Sequence, residues 1–170
     1  MEFLELAKKR YSCRKFSDQR VEKEQIDQIL EAAIAAPTAV NTQPFKIWVM
    51  ESEEAKKNIR QITDYTFGAE TFLVVGYEKK GGWVRGFDKR NFADVDASIV
   101  ATHMMMEIED LGLATTWVGY FNEPELKEIY PQMEGYELIA IFPVGYSAED
   151  AQPSPKHGVR KKREEVVEVL

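Results

Sequence analysis

From Val95 to Leu111 the chain reads as one helix with no polar side. Val95, Ala97, Ile99, Val100, Ala101, Met104, Met105, Met106, Ile108 and Leu111 fall around the whole cylinder instead of along one stripe. Such a helix must be buried on more than one side, either as the central helix of a core or shared with a second subunit. The Met104-Met105-Met106 run supplies flexible filler for that packing. His103 lies in the same apolar stretch and reads as a core or interface histidine. The helix is expected over Asn91–Leu111, with Gly112 ending it.

Around this helix the pattern alternates. Residues 22–36 carry Ile26, Ile29, Leu30 and Ala33 at helical spacing, and Ala36-Pro37 stops them because proline disfavours helix in the residue before it. Phe45–Met50 and Thr71–Tyr77 read as strands, and Ser52 can cap a charged helix running to Thr63. Thr115–Tyr120 and Glu137–Tyr146 read as further strands, with Asn122-Glu123-Pro124-Glu125 opening a short helix between them. No repeat, low-complexity stretch or linker divides the 170 residues. One domain spanning 1–170 is expected, of the α+β or α/β sheet class.

Composition narrows the functional classes. With 44% hydrophobic and 30% charged residues the chain can build a packed core and is not a disordered tail. Its longest strongly apolar stretch, Leu138–Tyr146, is too short to span a bilayer. The opening Met1–Glu5 is acidic and lacks the charge order of a secretory signal. A single cysteine, Cys13, permits no intrachain disulfide, so the cytoplasm is the expected compartment. Twenty-two basic against 29 acidic residues give a net charge of −7, which argues against nucleic-acid binding. The cations are nevertheless clustered. Lys8, Lys9, Arg10, Arg14 and Lys15 stand at one end, and Lys156, Arg160, Lys161, Lys162 and Arg163 at the other. Either these are two solvated stretches, or the ends meet around a compact anion such as a phosphate.

Familiar catalytic signatures are missing. Gly81 and Gly86 have the spacing of a phosphate loop, but Phe87-Asp88 follow where Lys-Ser/Thr belong. No G-x-G-x-x-G follows a strand, and two histidines with one cysteine make no zinc site at a recognised spacing. Cys13 has no histidine near it in sequence and reads as a buried small residue rather than a nucleophile. Hard chemistry in this chain would belong to a bound cofactor.

Several segments could hold one. Arg10, Ser12 and Arg14 share one side of an extended chain, and two guanidiniums with a hydroxyl suit a phosphate monoester, with Arg160 completing the cage. Alternatively, Arg14 and Lys15 merely solvate a strand end. In the Pro37–Pro44 loop, Asn41 and Gln43 can each donate and accept, which suits a flavin edge or simply the local backbone. Gly119 lets a ring approach the backbone of Trp117-Val118-Gly119, where Trp117 itself is expected in the core. Gly81–Phe87 reads as a mobile aromatic flap or an ordinary surface loop.

Five segments in order carry a resemblance. Arg10-Tyr11-Ser12-Cys13-Arg14-Lys15-Phe16, Ala36–Phe45, Asp96-Ala97-Ser98, Leu111–Gly119, and Pro143–Tyr146 followed by Arg160 resemble the FMN-dependent nitroreductase family across nearly the whole chain. Thr38, Ala39 and Phe45 stand where many members have serine, serine and tryptophan, so Ala39 offers only its backbone. The resemblance implies a nitroreductase-like fold, an α/β sandwich whose central, mostly antiparallel sheet is flanked by helices. It implies FMN bound by Arg10, Tyr11, Ser12, Arg14, Pro37, Thr38, Ala39, Asn41, Gln43, Trp117, Val118, Gly119 and Arg160, with the first, third and last of these at the phosphate. Arg14 would lie near the N1–C2=O edge of the ring, and the Trp117–Gly119 backbone near N5. NAD(P)H would pass hydride to N5 and leave, and a nitroaromatic or quinone would then be reduced in the same pocket. The catalytic group is thus the flavin, in a homodimer with FMN sites at its interface. Alternatives on the same fold are dehalogenation, flavin fragmentation, azoline oxidation, or flavin binding without catalysis, as in a redox sensor.

Overall fold

The computed structural model describes residues 2–170. The described residues form helices α1 (Phe3–Lys9), α2 (Lys23–Ile34), α3 (Glu53–Ile62), α4 (Ala93–Asp110), α5 (Glu123–Ile129) and α6 (Arg163–Val166). The strands are β1 (Phe45–Met50), β2 (Thr71–Glu78), β3 (Ala114–Thr115) and β4 (Tyr136–Gly145). They make one sheet in the order β1-β2-β4-β3 with every pairing antiparallel, the α+β nitroreductase-like arrangement expected from the sequence.

The sheet is covered on both faces because its central strands are apolar on both. In β2, Phe72 and Val74 pack into a core with Ala55, Ile59 and Leu126 of α3 and α5. The alternate residues Leu73 and Val75 face Ile29, Val100, Met104 and Ile108 of α2 and α4. Local signals start and stop these helices where the sequence predicts. Ser52 Oγ accepts from the Ala55 amide at 3.1 Å, Asn122 Oδ1 accepts from the Glu125 amide, and Gly112 takes φ +74° beyond the end of α4.

α4 runs from one end of the molecule's core to the other. Val100, Ala101, Met104 and Ile108 are fully buried, while Val95, Ile99, Met105 and Met106 are only half-buried. His103 departs from expectation. It is exposed, and its Nδ1 lies 3.0 Å from the Ile99 carbonyl one turn back. Among the described residues no helix is long and apolar enough to cross a membrane.

The expected strand over Thr115–Tyr120 is interrupted, for a covalent reason. Ala114 and Thr115 pair with Gly145 and Val144, and Val118 pairs with Ile141 in the same register, exchanging both backbone bonds at 3.0 and 2.9 Å. The next hydrogen-bonded pair in that register is Thr116 with Pro143, and proline has no N–H to give. Thr115 Oγ1 donates to the Pro143 carbonyl at 2.7 Å instead, so Thr116 and Trp117 leave the ladder. α1 and α6 are short helices that no periodicity in the sequence announces.

Candidate active site

The first group of site residues gathers at the C-terminal end of α4. Residues 10–16 run extended beside β3, where Ser12 pairs in parallel with Thr115 and the Cys13 amide donates to the Thr115 carbonyl at 3.0 Å. This lays Arg10, Tyr11, Ser12 and Arg14 along the interrupted segment Thr116-Trp117-Val118-Gly119. A cavity of about 200 Å³ opens there, lined by Arg14, Tyr65, Phe67 and residues 116–120. Trp117 is not the core residue expected. It is 37% exposed and makes a T-shaped contact with Phe142, with ring centroids 5.2 Å apart. Val118 is buried and Gly119 exposed. Cys13 is wholly buried and its thiol points at the Lys15 carbonyl.

The two basic clusters meet at this end. His157 reaches the Lys8 carbonyl at 3.3 Å and sets its ring against the edge of Tyr11. The Arg160 guanidinium donates to the carbonyls of His157 and Val159 and lies close enough to Arg10 to be felt electrostatically. Burial is the main cause that lowers the Arg10 pKa; Glu109 opposes that shift and Arg160 adds to it. One terminal nitrogen of Arg10, Nη1, is buried with no hydrogen-bond partner. Lys9 Nζ stands 3.4 Å from Glu109. Arg14 is exposed, and its guanidinium donates to the Ser12 carbonyl at 3.2 Å. Burial is also the main cause that raises the Tyr11 pKa, with its hydroxyl between Cys13 and Ser147.

The second group, Pro37, Thr38, Ala39, Asn41 and Gln43, lies at the other end of α4. Here the chain is strained. Val40, Asn41 and Gln43 all have positive φ, at 45°, 58° and 49°, and for a β-branched valine that conformation is an outlier. Thr38 Oγ1 accepts from the Gln43 amide at 3.1 Å, and the Gln43 side chain donates to the Asn41 carbonyl at 3.3 Å. Gln43 thus bonds local backbone, while the Asn41 side chain is exposed. The Ala39 amide donates to Asp96 Oδ1 at 2.8 Å. Asp96 is only 2% exposed, and its other oxygen, Oδ2, is buried without a partner.

The distance between these groups follows from helix geometry. Asp96, bonded to the loop, and Glu109, beside Arg10, sit in the first and last turns of α4, about 20 Å apart along its axis. Within one chain the two groups of expected site residues are therefore kept apart. Beside the Pro37–Gln43 loop, Gly81–Phe92 forms a hydrogen-bonded hairpin in which Val84 pairs with Asn91, and Arg85 and Arg90 flank the Phe92 ring. Phe87 is fully exposed at its tip.

Sequence reasoning missed Tyr65, Phe67 and Tyr120, which line the cavity with the Tyr65 ring tilted against Phe67 and T-shaped against Tyr120. It also missed Glu109 and the role of Asp96. For the last two the available signal was a carboxylate within an otherwise apolar helix.

Comparison with known proteins agrees with this fold. The model of the nitroreductase family matches residues 7–68 and 62–146. A crystal structure of a nitroreductase family protein from Clostridium difficile 630 superposes with a TM-score of 0.91 at 36% identity, covering 99% of this chain and 98% of that one. A protein of Exiguobacterium sibiricum 255-15, crystallised in complex with FMN, shares the fold with a TM-score of 0.84 at 18% identity, covering 100% and 98% of the two chains. A protein of Methanothermobacter thermautotrophicus named "Putative NADH dehydrogenase/NAD(P)H nitroreductase" is 27% identical over 88% of this chain and 80% of its own. Pig iodotyrosine deiodinase 1 is 25% identical over 88% of this chain, which spans 63% of the deiodinase. With the antiparallel sheet, the family match over most of the chain and a whole-length structural likeness in agreement, the chain belongs to the nitroreductase family.

Proposed function

We propose that this protein is an FMN-dependent NAD(P)H oxidoreductase that reduces nitroaromatic or quinone-type acceptors. The observation that carries the reading is the buried, unpartnered Nη1 of Arg10 beside Arg160. A guanidinium that has lost water without gaining a partner is disfavoured unless an anion completes it. A phosphate monoester fits that place, with the Ser12 hydroxyl and Arg160 as further donors. The FMN complex of the Exiguobacterium protein supports the choice of FMN, and the name of the Methanothermobacter protein supports NAD(P)H.

FMN, when bound, supplies hydride acceptance from the nicotinamide and delivery to the acceptor. The chain's own residues bind and orient. Arg10, Tyr11, Ser12 and Arg160 hold the phosphate end. Arg14, a fixed cation at the rim of the cavity, favours negative charge on the facing ring edge. Trp117, Val118 and Gly119 line the cavity; Trp117 and Gly119 stand outside the sheet ladder with their backbone available to a ring, while Val118 stays bonded to Ile141. Pro37, Thr38, Ala39, Asn41 and Gln43 hold the ring from the other side, and because they lie at the far end of α4 they come from a second copy. We infer a homodimer with two such composite sites, each from a single domain spanning 1–170. The exposed Val40 and the half-buried Val95, Ile99 and Met106 of α4 suit that interface. A buried lone Cys13 suits the cytoplasm.

The likeness to iodotyrosine deiodinase favours one second reading, reductive dehalogenation on the same fold. The deciding experiment is an anaerobic visible spectrum of FMN-reconstituted protein. Bleaching by NADPH or NADH and recovery with a quinone or nitroaromatic is expected. Bound flavin that recovers only with an iodinated phenol would shift the assignment to dehalogenation, and protein that takes up no flavin would overturn both readings.

A further inference from the structure

The loop Thr38–Gln43 holds three non-glycine residues at positive φ within four positions. Strain of that kind persists only where the surroundings over-determine it. Most of the loop's hydrogen bonds are internal: the Asn41 amide to the Thr38 carbonyl, the Thr42 amide and hydroxyl to the Ala39 carbonyl, and the Gln43 amide to Thr38 Oγ1. Such bonds fix the loop's shape and leave its position free. Among the described residues one hydrogen bond joins residues 38–43 to the rest of the protein, from the Ala39 amide to Asp96 Oδ1.

From this we infer that Asp96 is a positioning residue of the active site, the tether that holds the Thr38–Gln43 loop in its ligand-binding geometry. The inference rests on the proposed function, since the loop is one side of the FMN site. Asp96 is suited to the task. Its backbone is fixed in the first turn of α4, where the helix dipole favours a negative charge. A charged acceptor also makes a stronger bond than a neutral one. The cost is visible in Oδ2, buried without a donor. A carboxylate kept in so apolar a place for only one backbone amide indicates that the amide's position matters.

Three variants test this. Asp96→Ala deletes the acceptor, Asp96→Asn keeps an oxygen in its place, and Ala39→Pro deletes the donor. The last suits the backbone, because Thr38 is already extended at ψ 158° and Ala39 begins a 3-10 turn. FMN affinity is read by quenching of its fluorescence, and the 38–43 amides by hydrogen exchange in the flavin-free protein. Asp96→Ala and Ala39→Pro should each weaken FMN roughly tenfold or more, as for loss of a hydrogen bond to a charged acceptor, and should speed exchange across the loop. The double variant should be no worse than either single one. Asp96→Asn should stay within about threefold of the parent. If Asp96→Ala does not fold, Ala39→Pro and Asp96→Asn still decide. Unchanged affinity and exchange in Ala39→Pro, or equal loss in Asp96→Asn and Asp96→Ala, would overturn the tether while leaving the FMN assignment intact. Parent protein that binds no FMN would overturn both.

Discussion

At the C-terminal end of α4, Glu109 lies among cations; at the N-terminal end, Asp96 meets a single amide. Both carboxylates are buried, at 8% and 2% exposure, on a helix that is otherwise apolar toward the core. Glu109 balances charge. Lys9 is 3.4 Å away with a half-exposed side chain, and Arg10 feels the carboxylate through a partly desolvated medium. Asp96 fixes a position, because one directional bond holds a loop whose other bonds are its own. Removing the first should alter how strongly an anion is held; removing the second should alter whether a ligand finds its contacts in place. The same residue chemistry therefore serves attraction at one end of the helix and geometry at the other.

The largest effect should come from Arg10. Arg10→Ala removes the unpartnered donor and the charge that burial makes costly, so FMN affinity should fall by about 2–3 kcal/mol, roughly 30- to 160-fold. Fluorescence titration reads this directly, and an affinity within threefold of the parent would remove the phosphate from this end of α4. Glu109→Gln should act in the opposite direction. Without the carboxylate, Lys9, Arg10 and Arg160 attract an anion more strongly, so FMN should bind a few-fold tighter at low salt. Thermal stability should meanwhile drop by about 1 kcal/mol, the scale of a partly exposed ion pair. Weaker binding in Glu109→Gln would mean that Glu109 also positions Arg10, and the contrast between the two ends would close.

Much of this arrangement was legible in the sequence. Phe45–Met50 and the helix after Ser52 were predictable because period and cap coincide at those residues. The apolar girth of α4 announced the helix, but within the chain the fully buried Ala97, Val100, Ala101, Met104 and Ile108 follow one face, and Val95, Ile99, Met105 and Met106 are only half-buried. Of the expected site residues Val118 is buried, and the others are exposed or half-buried. What sequence could not supply was their division into two groups about 20 Å apart, because spacing along a chain does not say which end of α4 a loop returns to. Trp117 was misjudged for a related reason. An indole in an apolar run looks like core, and the run does not show that Pro143 stands opposite Thr116 and breaks the ladder beside Trp117, which is exposed.

A smaller effect sharpens the contrast from the loop side. Val40 at φ +45° is held in a conformation that glycine adopts freely. Val40→Gly should relieve the strain and, after the extra entropy glycine gives the unfolded chain, stabilise the protein by about 1 kcal/mol, raising Tm by roughly 2–4 °C. FMN affinity should nonetheless fall slightly, because a loop relieved of strain is also less confined. A gain in both stability and affinity would show that the strain at Val40 has no part in binding.

The smallest expected change in stability tests why Thr116 and Trp117 are free of the ladder. Pro143→Val restores an N–H directly opposite the Thr116 carbonyl, in a register already set by Val118 with Ile141 and Thr115 with Val144. One added hydrogen bond is worth about 1 kcal/mol, and losing the rigidity of proline in the unfolded chain cancels much of it. Net stability should therefore stay within about 0.5 kcal/mol, while the amide at 143 becomes protected against hydrogen exchange. Closing the ladder draws Thr116 and Trp117 into β3 and reshapes the wall of the cavity beside Arg14, so FMN binding should weaken even though no proposed contact residue has changed. If the amide is protected and binding is unaffected, the gap in the strand is a consequence of Pro143 alone, and the flavin does not depend on backbone groups freed there.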